Sequence, residues 1–310
     1  MRAALAVDLG GTELRVALVA ETGVFLARDA EPTLARDGPD AVIGQMVRLL
    51  RGIEHRAAGC TILGVGVGAP GPLDPVRGVV LGAPTLDGWT DVPLAPLLGG
   101  RLGRKVWLEN DANAAALGES VFGAGRGTRH SVFVTVSTGI GGGVIVDGRL
   151  LHGRHGLAGE IGHMAISERD IPCPCGGTGC WEALASGTAL ARFANAAAAR
   201  EPTTSLPRDG GISARDVVGA AAVGDPLAIR LLDDEAGFLG VGFANLLHLF
   251  SPERIIVGGG VSAGLEAMRP TIERVMRRRA MPAYRDVPVL RAALGTDAGL
   301  AGAAGLVLSG

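Results

Sequence analysis

Three of the chain's four cysteines, Cys173, Cys175 and Cys180, fall in one short loop rich in glycine and proline, and His163 stands a little upstream. Thiolates and a neutral imidazole are the donors that suit Zn²⁺, which prefers four tetrahedral N/S ligands at roughly 2.0 to 2.3 Å. Three cysteines and one histidine fill all four positions and leave none for water, so the predicted ion is structural rather than catalytic. Gly176, Gly177 and Gly179 permit the tight wrap that a chelate requires. Two carboxylates, Glu160 and Glu182, bracket the loop. A completed Cys₃His site needs neither, which leaves both to bind something else.

A second set of residues suits phosphate. In D-L-G-G-T the paired glycines Gly10 and Gly11 can offer backbone N–H groups, Thr12 adds a hydroxyl, and Asp8 at the strand end could hold a phosphate-bound Mg²⁺ through water. Taken alone, the same pattern is also an ordinary hairpin turn, and spacing does not choose between the two. S-T-G-I-G-G-G, containing Thr138 and Gly139, repeats the device near the middle of the chain. Gly258 to Gly260 would let a planar base approach the backbone, and equally describe a strand-to-helix turn. Gly66, Gly68 and Gly71 match the dinucleotide spacing G-x-G-x-x-G, but Pro70, Pro72 and Pro75 forbid the helix that must follow, so that reading is rejected. In E-N-D-A-N-A-A-A-L-G-E, Asn110 and Asp111 cap a helix; capping alone accounts for them, although the carboxylate is also placed to act on a substrate hydroxyl. Arg274 and Arg277 to Arg279 read as a solvated helix face.

The elements that must carry these groups follow from periodicity. Ala3 onward reads as strand, glycine turn, strand, with Leu14, Val16 and Leu18 on one face. Val132 to Val146 reads the same way, which suggests two related halves, each lending a turn to one nucleotide. Helices are predicted over 40–56, 94–102, from Asn110 onward, 182–199, 214–223, 227–250 and 298–308, strands over 105–108 and 254–257, and a strand entering a rigid loop within 62–74. The 227–250 helix is nearly apolar all round, so it should be deeply buried or lie in a subunit interface. Residues 83–89 and 201–211 read as loops, the latter the best candidate for local disorder.

Composition excludes several classes. The chain has 310 residues, 47% of them hydrophobic, enough for two packed domains. A net charge of −2 gives no basic footprint for nucleic acid or an anionic membrane. The longest uncharged run, Ser131 to Val146, is broken by polar residues and glycines and falls short of the ~20 apolar residues that span a bilayer. The apolar run before Asp8 is too short for a signal peptide. With three cysteines in the metal loop and Cys60 alone, a disulfide framework is unsupported, and a reducing cytoplasmic location is expected.

D-L-G-G-T, G-A-P-G-P-L-D, E-N-D-A-N-A-A-A-L-G-E, S-T-G-I-G-G-G, E-I-G-H, C-P-C-G-G-T-G-C-W-E and V-G-G-G-V, in this order, resemble the ROK family of sugar kinases and repressors, and most of all its bacterial glucokinases. The resemblance spans nearly the whole chain, and E-I-G-H with the cysteine loop is its most specific part. It implies an α/β, actin-like ATPase (ribonuclease H-like) fold, with two α/β domains around an ATP and sugar cleft: 1–112 with 295–310, and 113–294. It implies a homodimer or a dimer of dimers. On the resemblance Asp111 matches the catalytic base. Gly68, Thr85, Asn110, Glu160, His163 and Glu182 match residues around the sugar, and Asp8, Gly10, Gly11, Thr12, Thr138, Gly139 and Gly258 to Gly260 match the phosphate and adenosine contacts. A zinc on one nitrogen of His163 would leave the other aimed at the sugar.

Thr85 stands where such glucokinases usually have an asparagine, and Glu13 where a lysine is common. A threonine at the first of these occurs in some N-acetylmannosamine kinases of the family, so an N-acetylhexosamine is the rival substrate to glucose. A sugar-responsive repressor would carry a helix-turn-helix ahead of the first glycine turn, whereas this chain reaches Asp8 almost at once. A sugar-binding or assembly protein without catalysis would leave Asp111 no task.

Overall fold

The computed structural model describes all residues except Ala58, Arg169 and Gly310. In chain order the strands are β1 (Arg2–Leu9), β2 (Glu13–Ala20), β3 (Phe25–Pro32), β4 (Thr61–Ala69), β5 (Leu73–Asp74), β6 (Val79–Gly82), β7 (Thr90–Val92), β8 (Val106–Asn110), β9 (Ser131–Val136), β10 (Ile140–Val146), β11 (Arg149–Leu150), β12 (Arg254–Gly258) and β13 (Val289–Arg291). The α-helices are α1 (Gly38–Glu54), α2 (Leu94–Leu102), α3 (Asp111–Phe122), α4 (Trp181–Ala185), α5 (Gly187–Ala198), α6 (Ala214–Ala222), α7 (Pro226–Phe250), α8 (Leu265–Arg279) and α9 (Ala298–Leu308). The chain forms two compact units, one of residues 1–129, 143–159 and 293–310, the other of residues 130–142 and 160–292. Among the described residues no helix is long and apolar enough to cross a membrane.

In the first unit a sheet runs in the order β3-β2-β1-β4-β8. β1 and β2 are an antiparallel hairpin, while β1, β4 and β8 are parallel. Alternation along the strands sorts two cores. Leu5, Val7 and Leu9, with Leu14, Val16 and Leu18, pack with Ile43, Met46 and Leu50 of α1 and Leu94 and Leu98 of α2. Ala4, Ala6, Ala17 and Val19 turn the other way, onto Leu300, Ala303, Ala304 and Val307 of α9. Small residues on that second face let α9 come close. A Cβ on Gly66 would stand 1.7 Å from the Ala303 carbonyl oxygen, and one on Gly302 1.6 Å from that of Ala114 in α3. β8 continues past the predicted Leu108, because pairing with β4 runs on through Gly68↔Glu109 to Ala69↔Asn110. The loops expected after β4 contain a small sheet, β5-β6-β7, with Leu73, Val80 and Val92 buried, and the Gly71–Pro72 bond before it is cis.

In the second unit β9, β12 and β13 are parallel neighbours in the order β9-β12-β13. α7 is buried along much of its length, though Ile229 and Leu249 are exposed. The single helix predicted over 182–199 is two helices. Ser186 between them is extended, its side chain accepts from Ala189 N at 3.1 Å to cap α5, and Gly187 N donates to Ser137 O at 2.7 Å. The 201–211 segment is irregular, as its composition predicts, but it is held. The Asp225 carboxylate caps α7 by accepting from Ala228 N, and it also accepts from Ser205 N and, at 2.8–3.2 Å, from the Thr204 and Ser205 hydroxyls. Burial pushes its pKa up, but these bonds, the two backbone ones foremost, hold it well below the usual carboxylate range. Arg277 to Arg279 lie exposed at the end of α8.

Candidate active site and metal centre

In the first unit three neighbouring parallel strands deliver chemistry at their carboxyl ends. The registers Asp8↔Gly68 and Gly68↔Glu109 place the D-L-G-G-T turn, Gly68 and the start of α3 side by side. Ligands of open α/β sheets bind at this edge. Asn110 caps α3, its Oδ1 accepting from Ala112 N at 3.0 Å and Asn113 N at 3.3 Å. That cap fixes Asp111 as the first helical residue, exposed at the helix N-terminus. Gly68 lies against this turn, a Cβ there meeting the Ala114 Cβ at 3.3 Å and the Asp111 Cα at 3.9 Å.

The D-L-G-G-T turn is a true hairpin turn, closed by Gly10 N donating to Glu13 O at 3.0 Å. The Gly10 N–H is therefore used inside the turn, and Gly11 and Thr12 are left to offer theirs. Thr85 sits on this turn: a Cβ on Gly11 would lie 2.6 Å from the Thr85 Cβ and 2.8 Å from its Oγ1. Asp8 Oδ2 pairs with Arg15, whose guanidinium also donates to Thr296 O at 2.8 Å. Burial pushes the Asp8 carboxyl up and outweighs the opposing pull of Arg15. The pairing is a feature that sequence reading missed.

Behind Asn110 and Asp111 lies a second carboxylate that the sequence did not single out. Glu109 is 1% exposed. Its Oε1 accepts from Asn110 N at 3.0 Å and from Asn113 Nδ2 at 3.1 Å, and its Oε2 meets His152 Nε2 at 2.6 Å. The bond to Glu109 raises the His152 pKa against the opposing effect of burial. A charged residue one place before a helix cap, at the inner end of a strand, was the only available signal.

In the second unit the four predicted metal ligands converge. The donor atoms of His163, Cys173, Cys175 and Cys180 all lie within 4.8 Å of one another. Cys175 and Cys180 sulfurs are 3.7 Å apart, and Cys173 Sγ is 3.7 Å from His163 Nδ1. A tetrahedral ion with metal–sulfur bonds of about 2.3 Å has sulfur–sulfur edges of about 3.8 Å, so the donors are spaced for such an ion. Nδ1 faces Cys173 Sγ. Burial, then the hydrogen bonds and charges of neighbouring sulfurs, pushes the Cys180 thiol up to about 12, a penalty that a bound cation reverses. Backbone bonds knit the loop: Cys173 N to Gly177 O, Gly176 N to Cys173 O and Gly179 N to Ile171 O, each at 2.9 Å. Trp181, fully buried at the start of α4, anchors it. Its ring meets Phe243 of α7 edge-on at 5.5 Å and covers Gly242, where a Cβ would come within 2.1 Å of the indole.

The metal loop also reaches the second glycine turn. Glu182 Oε2 accepts from Ile140 N at 2.9 Å, and a Cβ on Gly139 would lie 2.3 Å from the same oxygen. Gly162 of E-I-G-H packs so closely on the other side that a Cβ would stand 2.0 Å from Ile140 O. Thr188 at the start of α5 donates to Thr138 O at 2.7 Å. A cavity of about 360 Å³ lies between turn and loop, lined in part by Thr138, Gly139, Pro174, Glu182, Thr188 and Arg192. Glu160 precedes the 3₁₀ turn Ile161–His163 and His163 ends it, both exposed. Gly258 ends β12 beside Thr135 of β9, and Gly259 and Gly260 follow it. Gly259 has φ +83° and lies against Val136 O, 2.3 Å from where a Cβ would be, so only glycine fits.

The ROK family description matches residues 4–309. The chain is 37% identical over 309 residues to a glucokinase of Halalkalibacterium halodurans, covering 97% of this chain and 93% of that protein. Among solved structures it is similar to a ROK hexokinase from Thermus thermophilus, with a TM-score of 0.86, 37% identity and 98% and 97% of the two chains covered. It is also similar to a ROK family glucokinase from Streptomyces griseus in complex with glucose and AMPPNP, with a TM-score of 0.82, 36% identity and 99% and 100% covered.

Proposed function

Because this chain belongs to the ROK family, we propose that it transfers the γ-phosphoryl group of ATP to glucose, giving glucose 6-phosphate. It is an ATP-dependent hexose kinase on the α/β, actin-like ATPase fold. The observation that carries the mechanism is Asp111: an exposed carboxylate fixed at a helix N-terminus, at the same sheet edge as the D-L-G-G-T turn. Phosphoryl transfer passes through a loose transition state, so catalysis is chiefly positioning and charge stabilisation. Asp111 accepts a hydrogen bond from the attacking hydroxyl and takes its proton late, as the new P–O bond makes it acidic.

Other roles are assigned unit by unit. In the first, Gly68, Thr85 and Asn110 go to the sugar, and Asp8, Gly11 and Thr12 to phosphate, with the Gly10 N–H closing the turn. In the second, Glu160, His163 and Glu182 go to sugar hydroxyls, and Thr138, Gly139 and Gly258 to Gly260 to phosphate and adenosine. Asp8 would hold a phosphate-bound Mg²⁺ through water while Arg15 keeps its Oδ2. That ion, when bound, neutralises charge on the β- and γ-oxygens. His163, Cys173, Cys175 and Cys180 would hold Zn²⁺, a structural ion that fixes the imidazole through Nδ1 and leaves Nε2 for the sugar. The assembly we expect is a homodimer or dimer of dimers, and the location cytoplasmic.

Coupled ADP-release assays across glucose, mannose, fructose, N-acetylglucosamine and N-acetylmannosamine test the substrate. Thr85 makes an N-acetylhexosamine the second reading, and a kcat/KM for either N-acetyl sugar above that for glucose would establish it. Asp111→Asn should lower kcat by roughly 10² or more with little change in sugar affinity. Turnover undiminished in that variant would remove Asp111 from the mechanism.

A further inference from the structure

We propose that His152 is a positioning residue for phosphoryl transfer, acting through the buried carboxylate of Glu109 to hold the β8–α3 junction and thereby aim Asp111. The inference rests on the assignment of Asp111 as base.

Glu109 is the residue on which the junction turns. It shares β8 with Asn110, and its carboxylate folds back so that Oε1 takes the main-chain N–H of Asn110 and the side-chain amide of Asn113. These two residues flank Asp111, so their hydrogen bonds set the path of the backbone that carries it. Asn113 has little freedom of its own, being 2% exposed and pressed against Gly143, where a Cβ would lie 2.9 Å from its Oδ1. The direction of the Glu109 carboxylate is therefore the remaining degree of freedom, and His152 sets it through a 2.6 Å bond to Oε2.

The imidazole is itself well held. His152 follows the β10–β11 hairpin, paired Ile145↔Leu150 and Val146↔Arg149. Its neighbour Leu151 donates to Val144 O at 2.8 Å, and its own carbonyl accepts from Ala158 N at 3.1 Å. A hairpin anchored on both sides thus presents one ring nitrogen to one carboxylate oxygen. Without that donor a nearly dry carboxylate would keep only two donors, both on Oε1, and would be driven to re-aim or to take a proton. Re-aiming releases the Asn110 N–H, protonation weakens its bond to Oε1, and a misplacement of about 1 Å at a reacting group can cost about 10²-fold in rate. The histidine side chain is 43% exposed, so the site can be tested from solution.

The test compares His152→Leu, His152→Gln and His152→Ala with Asp111→Asn under saturating glucose and ATP, with nucleotide affinity measured separately by binding of a non-hydrolysable ATP analogue. His152→Leu should lower kcat by about 10-fold or more while the analogue binds within about twofold of the parent. His152→Gln, whose amide nitrogen reaches about as far from the backbone as Nε2, should recover most of that loss. If His152→Leu does not fold, His152→Ala assayed with added imidazole replaces it, and turnover should rise with imidazole. A folded His152→Leu with kcat within twofold of the parent overturns the proposal. So does an equal loss in the Leu and Gln variants, or no imidazole response in folded His152→Ala. A fully active Asp111→Asn would overturn the assignment of the base and this inference with it, whereas an inactive Asp111→Asn beside a normal His152→Leu overturns the inference alone.

Discussion

Glu182 offers the sharpest test of how the cysteine loop is connected to the second glycine turn, the proposed phosphate contact. Its carboxylate takes the Ile140 N–H at 2.9 Å, immediately after Thr138 and Gly139, and two residues after the ligand Cys180. Glu182→Ala removes a charged acceptor and leaves a backbone N–H at a buried residue, Ile140 being 4% exposed, without its partner. Losing a hydrogen bond of that kind costs about 1–3 kcal/mol, or roughly 5- to 150-fold in an equilibrium constant if the turn must be re-formed before nucleotide binds. The assay is calorimetric titration with a non-hydrolysable ATP analogue and Mg²⁺ in the absence of sugar, which separates this role from any contact of Glu182 with glucose. Glu182→Gln keeps an acceptor oxygen and should lie close to the parent, while Glu182→Ala should weaken the analogue by the stated range. Unchanged analogue affinity in Glu182→Ala, with the sugar KM alone altered, would refute the claim that this carboxylate supports the turn.

Three further outcomes follow from the same geometry. Stripping the metal with a strong chelator, or Cys173→Ser, should open the 171–180 segment to limited proteolysis and raise the KM of both substrates, since structural zinc contributes roughly 10 kcal/mol or more to local folding; protease resistance equal to that of the holoenzyme would contradict it. Glu235 in α7 is buried at 2% exposure beside a cavity of about 340 Å³ lined in part by Leu184, Phe193, Leu231 and Phe238, its Oε1 has no hydrogen-bond partner, and burial raises its pKa well above the ordinary 4.5. Its folded pKa exceeds its unfolded one, so its contribution is fully present below about pH 4.5 and is lost as pH rises through the folded value; Glu235→Gln should flatten that decline in thermal melts, and an unchanged pH slope would count against it. Gly302→Ala places a Cβ 1.6 Å from the Ala114 carbonyl oxygen and should destabilise by about 1–3 kcal/mol or more, read as a lower urea midpoint at unchanged slope; a midpoint equal to the parent's would show that α3 and α9 can separate freely.

The elements whose register depends on neighbours close in sequence were legible from the chain alone. α2 and α9 have the predicted bounds, α7 begins one residue early at the proline that stabilises its first turn, and Asn110 caps α3 as its side chain requires. The candidate metal cluster was legible for the same reason: cysteines two and five residues apart in a glycine loop have few ways to avoid one another, and with His163 their donor atoms lie within 4.8 Å of one another. Elements governed by distant partners were not legible. Alanine content predicts one helix over 182–199, but the bond from Gly187 N to Ser137 O, 50 residues away in sequence, splits it and turns α5 toward the second glycine turn.

Residue types and spacing therefore determined the chemistry that the chain can perform, because thiolates, carboxylates and glycines have fixed donor sets and backbone freedom wherever they lie. What the tertiary structure decided is which of these groups are already engaged. Gly10 closes its own turn, Asp8 is paired with Arg15, Glu182 braces Ile140, and Glu109 is held by a histidine 43 positions later. Each is a hydrogen bond or ion pair whose partner comes from another element, except the bond within the hairpin turn. A hydrogen bond requires its two atoms within about 3 Å, and only folding brings such residues that close.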